Sequence, residues 1–195
     1  MDERDYALGE VDRRLGNLLR FGTVSEVDTA NALVKINLGD LVTGWVPWTT
    51  SQAGQNRVWS VPDVGEQVAL LSPGDPSQGV VIGSMFQTNH PANGNAGKDW
   101  RVTFKDGTVL EFDRDASILN ATMSAAGHFN VTISGAKIEA SASSIKLTVG
   151  GSVFEITSGG VAITSGSLTH NGTNIGSTHT HTSVQPGSGT SGPPA

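Results

Sequence analysis

The chain has 195 residues, 36% of them hydrophobic, with 25 glycines and a formal net charge of −6. That length allows one or two domains, and the composition is lean for a single compact globule. The acidic balance speaks against a nucleic-acid partner, which needs a basic face, and the absence of cysteine excludes disulfides and thiolate-bound metals. The first residues, Met1-Asp2-Glu3-Arg4-Asp5, lack signal-peptide character, and no apolar run reaches membrane-spanning length. The expected product is a soluble chain made in the cytoplasm.

Residues 1–20 read as an amphipathic helix. Leu8, Val11, Leu15 and Leu18 recur at spacings of three and four, with charged residues on the other face. The stripe is thin, so the helix is expected either to dock on another chain or to pack on its own domain.

Residues 21–86 read as a small all-β barrel. Strands are expected at Phe21–Val24, Leu33–Ile36, Trp45–Trp48, Val68–Leu71 and Gly79–Gly83, separated by Gly, Asp, Asn and Pro turns. Five short strands in this arrangement suggest a Greek-key barrel of the OB type. Such barrels often hold oligonucleotides or sugars on aromatic and basic residues. Here Lys35 and Arg57 are outnumbered by Glu26, Asp28, Asp40, Asp63, Glu66 and Asp75. Trp45, Trp48 and Trp59 are therefore assigned to core and interface rather than to a base platform.

Residues 87–100 have the composition of a linker. Asp106-Gly107 then stands between two apolar runs, Val102–Lys105 and Thr108–Phe112, and signals a hairpin with a type I′ turn.

Residues 101–175 read as one short strand after another. Phe129, Val131 and Ile133 alternate with polar residues; so do Ile138, Ala140 and Ala142, then Ile145, Leu147 and Val149, then Phe154 and Ile156, then Val161 and Ile163. Period two gives each strand one apolar and one wet face. The apolar face is narrow, and no Trp or Tyr follows Trp100. A lone sheet would expose that face and both edges. Three copies around one axis would bring the narrow faces together and give each edge a partner. The expected fold class is thus all-β, with an N-terminal helix and a barrel followed by an intertwined trimeric β-helix or β-prism needle. A small monomeric sandwich is the alternative.

Residues 176–195 form a tail rich in Ser, Thr, Gly and Pro, carrying His179-Thr180-His181. On extended chain the two imidazoles point the same way. One chain offers too few ligands for a closed site, whereas three copies about an axis offer six nitrogens. Imidazole suits iron, nickel, copper and zinc, and six-coordination disfavours zinc. Such a shell leaves no open position, so the metal would be structural and its binding energy would become folding energy. A solvated His-x-His is the alternative. His170 is assigned to a surface loop and His128 to no role.

Val61-Pro62-Asp63-Val64-Gly65-Glu66-Gln67-Val68-Ala69-Leu70-Leu71 resembles the P-x-V-G-E-Q-V signature of the OB domain in contractile-tail spike proteins. The stretches Trp45–Trp48 and Gly54–Trp59 resemble the segment before it in the baseplate assembly protein V family of P2-like and Mu-like phages. The order of helix, barrel, Asp-Gly hairpin, strand repeats and terminal His-x-His is similar to that family along essentially the whole chain. The resemblance implies a homotrimeric central spike at the distal end of the virion tail, with the OB domain toward the baseplate hub and tail tube. Its β-helix would pierce the host outer membrane on sheath contraction. It further implies one iron ion per trimer on His179 and His181, and no enzymatic role.

Three rivals remain. A receptor-binding fibre or adhesin should carry exposed aromatics or a sugar groove at its tip, which this tail lacks. A metalloenzyme using His170, His179 and His181 would need an acid or base near the metal, and no carboxylate follows Glu155. The spike of a contractile secretion system stays open.

Overall fold

The computed structural model describes residues 3–94, 99–183, 185 and 187. The chain divides into two compact units, residues 1–95 and 96–195. Residues 188–195 of the tail, with Val184 and Pro186, lie outside the described residues.

The first unit opens with α1, Glu3–Gly16. The sequence placed the helix as far as residue 20. It stops at Gly16, a weak helix former, where the Asn17 N–H bonds back to the Arg13 and Arg14 carbonyls and the Leu18 N–H to the Leu15 carbonyl. Leu19 and Arg20 belong instead to the first strand. Five strands follow: β1 (Leu19–Asp28), β2 (Leu33–Asn37), β3 (Val46–Pro47), β4 (Gln67–Leu71) and β5 (Val80–Met85). They lie in the order β3-β2-β1-β4-β5, and a parallel bridge from Trp48 to Val81 joins the two outer strands. The Thr49 N–H donates to the Val81 carbonyl at 2.9 Å across that junction. The sheet therefore curls into a five-stranded barrel, as the spacing of the apolar runs predicts.

Alternation fills the barrel. Val24, Val34, Ile36, Val46, Val68, Leu70 and Val81 are buried together, with Val27, Leu38 and Trp48 packed against them. Each such side chain contributes about 1.5–3 kcal/mol by leaving water. The buried Thr43 hydroxyl accepts the Ile36 N–H and donates to the Gly44 carbonyl, so it is satisfied in the apolar interior. Trp45 and Trp59 are not core, contrary to half of their assignment: they are 41% and 60% exposed. With an interior only seven small side chains wide, a second and third indole have no room inside.

The second unit holds β6 (Asp99–Thr103), β7 (Val109–Asp113) and β8 (Ile118–Thr122) in one antiparallel sheet. A second sheet is a five-stranded antiparallel meander of β9 (Phe129–Ile133), β10 (Ala136–Ala140), β11 (Ser144–Val149), β12 (Ser152–Thr157) and β13 (Gly160–Thr164). The short pair β14 (Thr169–His170) and β15 (Thr173–Asn174) turns at Asn171-Gly172, both with positive φ. Trp100 lies in β6, so the linker ends before it; its indole prefers the sheet to the polar run preceding it.

The Asp106-Gly107 hairpin forms, with a different turn. Only Gly107 has positive φ, at +85°, and its N–H donates to the Phe104 carbonyl at 3.0 Å. Asp106 stays at negative φ, which gives a type I turn closed by a left-handed glycine rather than type I′. The Asp106 carboxylate explains the choice. It accepts the Thr108 N–H, the Thr108 hydroxyl and the Ser124 hydroxyl, all within 3.0 Å.

Candidate functional site

The meander brings its apolar residues into register. Val131, Ile138, Leu147, Phe154 and Ile163 stand opposite one another across all five strands. Phe129, Ala140, Ile145, Ile156 and Val161 form the next row on the same face, because cross-strand partners share a side of the sheet. The opposite face carries Asn130, Glu139, Lys146, Glu155 and Ala162 in one row, with charges alternating at its centre. The smaller sheet repeats the design: Trp100 pairs with Phe112 and Phe112 with Leu119, next to Val102, Leu110 and Ala121. This second apolar row was not read from the sequence. Its signal was the alternation Trp100, Val102 and Leu110, Phe112, split by the misplaced linker boundary.

In a single chain these faces are open. Leu147 is 43%, Phe154 37%, Ile145 51% and Leu119 64% exposed, and no described residue between 99 and 187 is buried. Along β11 the polar side chains Ser144, Lys146 and Thr148 are more covered than Ile145, Leu147 and Val149, the reverse of a sheet that has found its core. Strands β10 to β12 have both neighbours in their own chain, which leaves pairing with another chain to the outer strands β9 and β13.

His179 and His181 are brought together. Their Nε2 atoms are 3.2 Å apart and their rings meet edge to face, with centroids 5.0 Å apart. The Nδ1 atom of His179 lies 2.7 Å from the Gly176 carbonyl. With its proton on Nδ1 and donated to that carbonyl, His179 presents its Nε2 lone pair either to the His181 Nε2–H or to a metal, the second being the usual arrangement behind a metal-ligating imidazole. Two nitrogens bound to one metal at about 2.1 Å, at right angles, would stand about 3.0 Å apart, close to the observed spacing. That spacing is compatible with two adjacent ligands and is equally that of a hydrogen bond between the two rings. His170 sits in β14 and does not join them: among the described residues no group of three or more His, Asp or Glu side chains could hold a metal within one chain. The contact of the Gly176 carbonyl with the His179 ring was not read from the sequence.

Elsewhere the charged groups serve structure. The Lys35 ammonium lies 4.7 Å above the Trp45 ring and 3.0 Å from the Glu26 carboxylate. A groove of about 460 Å³ on the barrel includes Asp63, Glu66 and His90. There the Glu66 carboxylate accepts the Asp63 N–H at 2.8 Å and caps its own turn. Hydrogen bonds from Thr108 and then Ser124 hold the Asp106 carboxyl below the usual range. Its contribution to the hairpin is therefore full above the ordinary aspartate value and fades as pH falls through the lower folded value. Glu10, bonded to Arg13 and Arg14, is lowered to about 2 and acts in the same sense on α1.

Comparison with known proteins bears on this arrangement. Residues 20–86 match the family described as the type VI secretion system/phage-baseplate injector OB domain. The chain is also similar to the spike protein of Escherichia phage P2, at 29% identity over 139 residues. That alignment covers 68% of this chain and 66% of the P2 protein, just under two-thirds of its length. The matched family spans the five-stranded barrel almost strand for strand, and the resemblance carried by Val61–Leu71 is borne out. Residues 20–86 are thus similar to the injector OB domain found in phage baseplates and type VI secretion systems.

Proposed function

We propose that the chain is a structural subunit of the central spike of a contractile phage tail and works as a homotrimer. The observation that carries this reading is the second unit's lack of any buried described residue, despite ordered strands with continuous apolar rows. A sheet with such a face stays in water only when another surface covers it. Three copies of one narrow face can cover one another about an axis and leave the polar rows outside. That design gives stiffness without a catalytic pocket, which is what puncturing a host outer membrane during sheath contraction requires. The OB barrel would engage the baseplate hub and tail tube. The likeness to the P2 spike protein favours a phage tail over the secretion-system spike that the family also includes.

His179 and His181 fit the proposed apex. Three copies supply six imidazoles, a set suited to iron and too large for a zinc site. A bound ion there would crosslink three chain ends where the sequence offers few apolar residues.

Two experiments test these readings. In particles carrying the chain, gold-labelled antibody against residues 101–175 should decorate the distal end of the tail; label along the fibres would contradict the spike role. Elemental analysis of the purified protein should find one iron per three chains. The double variant His179→Ala, His181→Ala should lose the metal while the remainder stays trimeric. A metal-free wild-type protein would end the apical site.

A further inference from the structure

Helix α1 carries an apolar stripe that its own chain leaves open. Leu8, Val11 and Leu15 are 64%, 51% and 62% exposed, and Leu18, just beyond the helix, is 41% exposed. The helix has little to hold it alone. At 14 residues it is marginal in water, Gly9 in its interior weakens it further, and the Glu10–Arg13 and Glu10–Arg14 pairs are largely exposed. Packing against another surface must supply the remainder.

The junction with the barrel fixes how the helix leaves it. Ser72 is fully buried; its N–H donates to the Leu18 carbonyl at 2.8 Å and its hydroxyl to the Asn17 carbonyl at 3.2 Å. These bonds tie residues 17 and 18 down while the stripe on α1 remains uncovered.

The spacing indicates what covers it. Positions 8, 11, 15 and 18 step by three, four and three, which are the a and d places of a heptad. A stripe confined to those places is the narrow seam of helices that pack on one another, not the broader face that covers a globular core. Gly9, Glu10, Arg13 and Gly16 all fall off the seam. Its flanks differ in character, with Asp5 and Asp12 on one side and Ala7 and Arg14 on the other. In parallel helices each place on the second flank faces the place five residues on along the first, so Ala7 meets Asp12 and no like charges meet across the seam. Arg4, at the preceding d place, ends the seam.

We infer that α1 packs along Leu8, Val11 and Leu15 against the same helix of sister copies, in a short parallel bundle that joins the chains a second time, at the barrel end. This inference rests on the homotrimer proposed above and adds an interface to it.

Because the chain contains no cysteine, single cysteines can report the contact in the full-length protein. Under mild oxidation Leu15→Cys should form disulfide-linked dimers at least tenfold faster than Arg13→Cys, which lies on the outer face, and no more than two of every three chains should link. Equal rates for the two variants, with the unmodified chain still trimeric by light scattering, would overturn the bundle and leave the trimer standing. A single-copy mass for the unmodified chain would overturn both. Crosslinks that form faster in a Leu15→Cys, Phe21→Cys double variant than in Leu15→Cys alone would show the helix lying on a neighbour's barrel, and would also overturn the bundle.

Discussion

Gly22 shows how closely the barrel is built. A Cβ at this position in β1 would lie 2.5 Å from the Asn37 carbonyl oxygen and 2.7 Å from Cγ2 of Ile36. The first is backbone and cannot swing aside. Gly22→Ala should therefore cost about 1–3 kcal/mol, the usual range for overpacking, read as a lower urea midpoint for the barrel. An unchanged midpoint would mean that β1 and β2 are more loosely paired than their register indicates. At this scale the sequence was partly informative. Asp106-Gly107 announced a hairpin correctly, but the turn type depended on where one carboxylate found its donors, and Ser124 is 18 residues away. The pairing of His179 with His181 follows from a spacing of two. The support of Gly176 beneath the ring depends on a local bend that no alternation encodes.

Among elements, the strands were legible and their partners less so. Period-two alternation located the barrel strands and the runs of the meander, because each has a wet and a dry face. The bridge from Trp48 to Val81 that closes the barrel joins distant segments and left no local trace. Trp100 was misplaced because the polar, glycine-rich run before it masks the start of β6. The exposed face of the meander gives the sharpest test at this scale. If Phe154 stayed as it is in one chain, 37% exposed, its truncation would cost about 1–2 kcal/mol. If sister chains cover it, Phe154→Ala should cost about 3–5 kcal/mol per chain, as for a core phenylalanine. Thr148→Ala, on the polar face, should stay within about 0.5 kcal/mol. Thermal denaturation of the two variants distinguishes the cases: a Phe154→Ala cost of no more than about 2 kcal/mol would leave the apolar rows without a partner.

For the whole molecule, the barrel and the strand-rich unit solve the same problem differently. The barrel closes on itself and buries seven apolar side chains in its own interior. The second unit lines up longer apolar rows and buries none of its own described residues. One sequence could show that such rows exist, since their alternation is local. It could not show what faces them, because that surface belongs to another molecule. The absolute mass in solution decides the matter most directly. Light scattering on the purified full-length chain should give about 61 kDa, three times the 20.2 kDa of one copy. A value near 20 kDa, from a protein whose strands remain folded, would contradict the account.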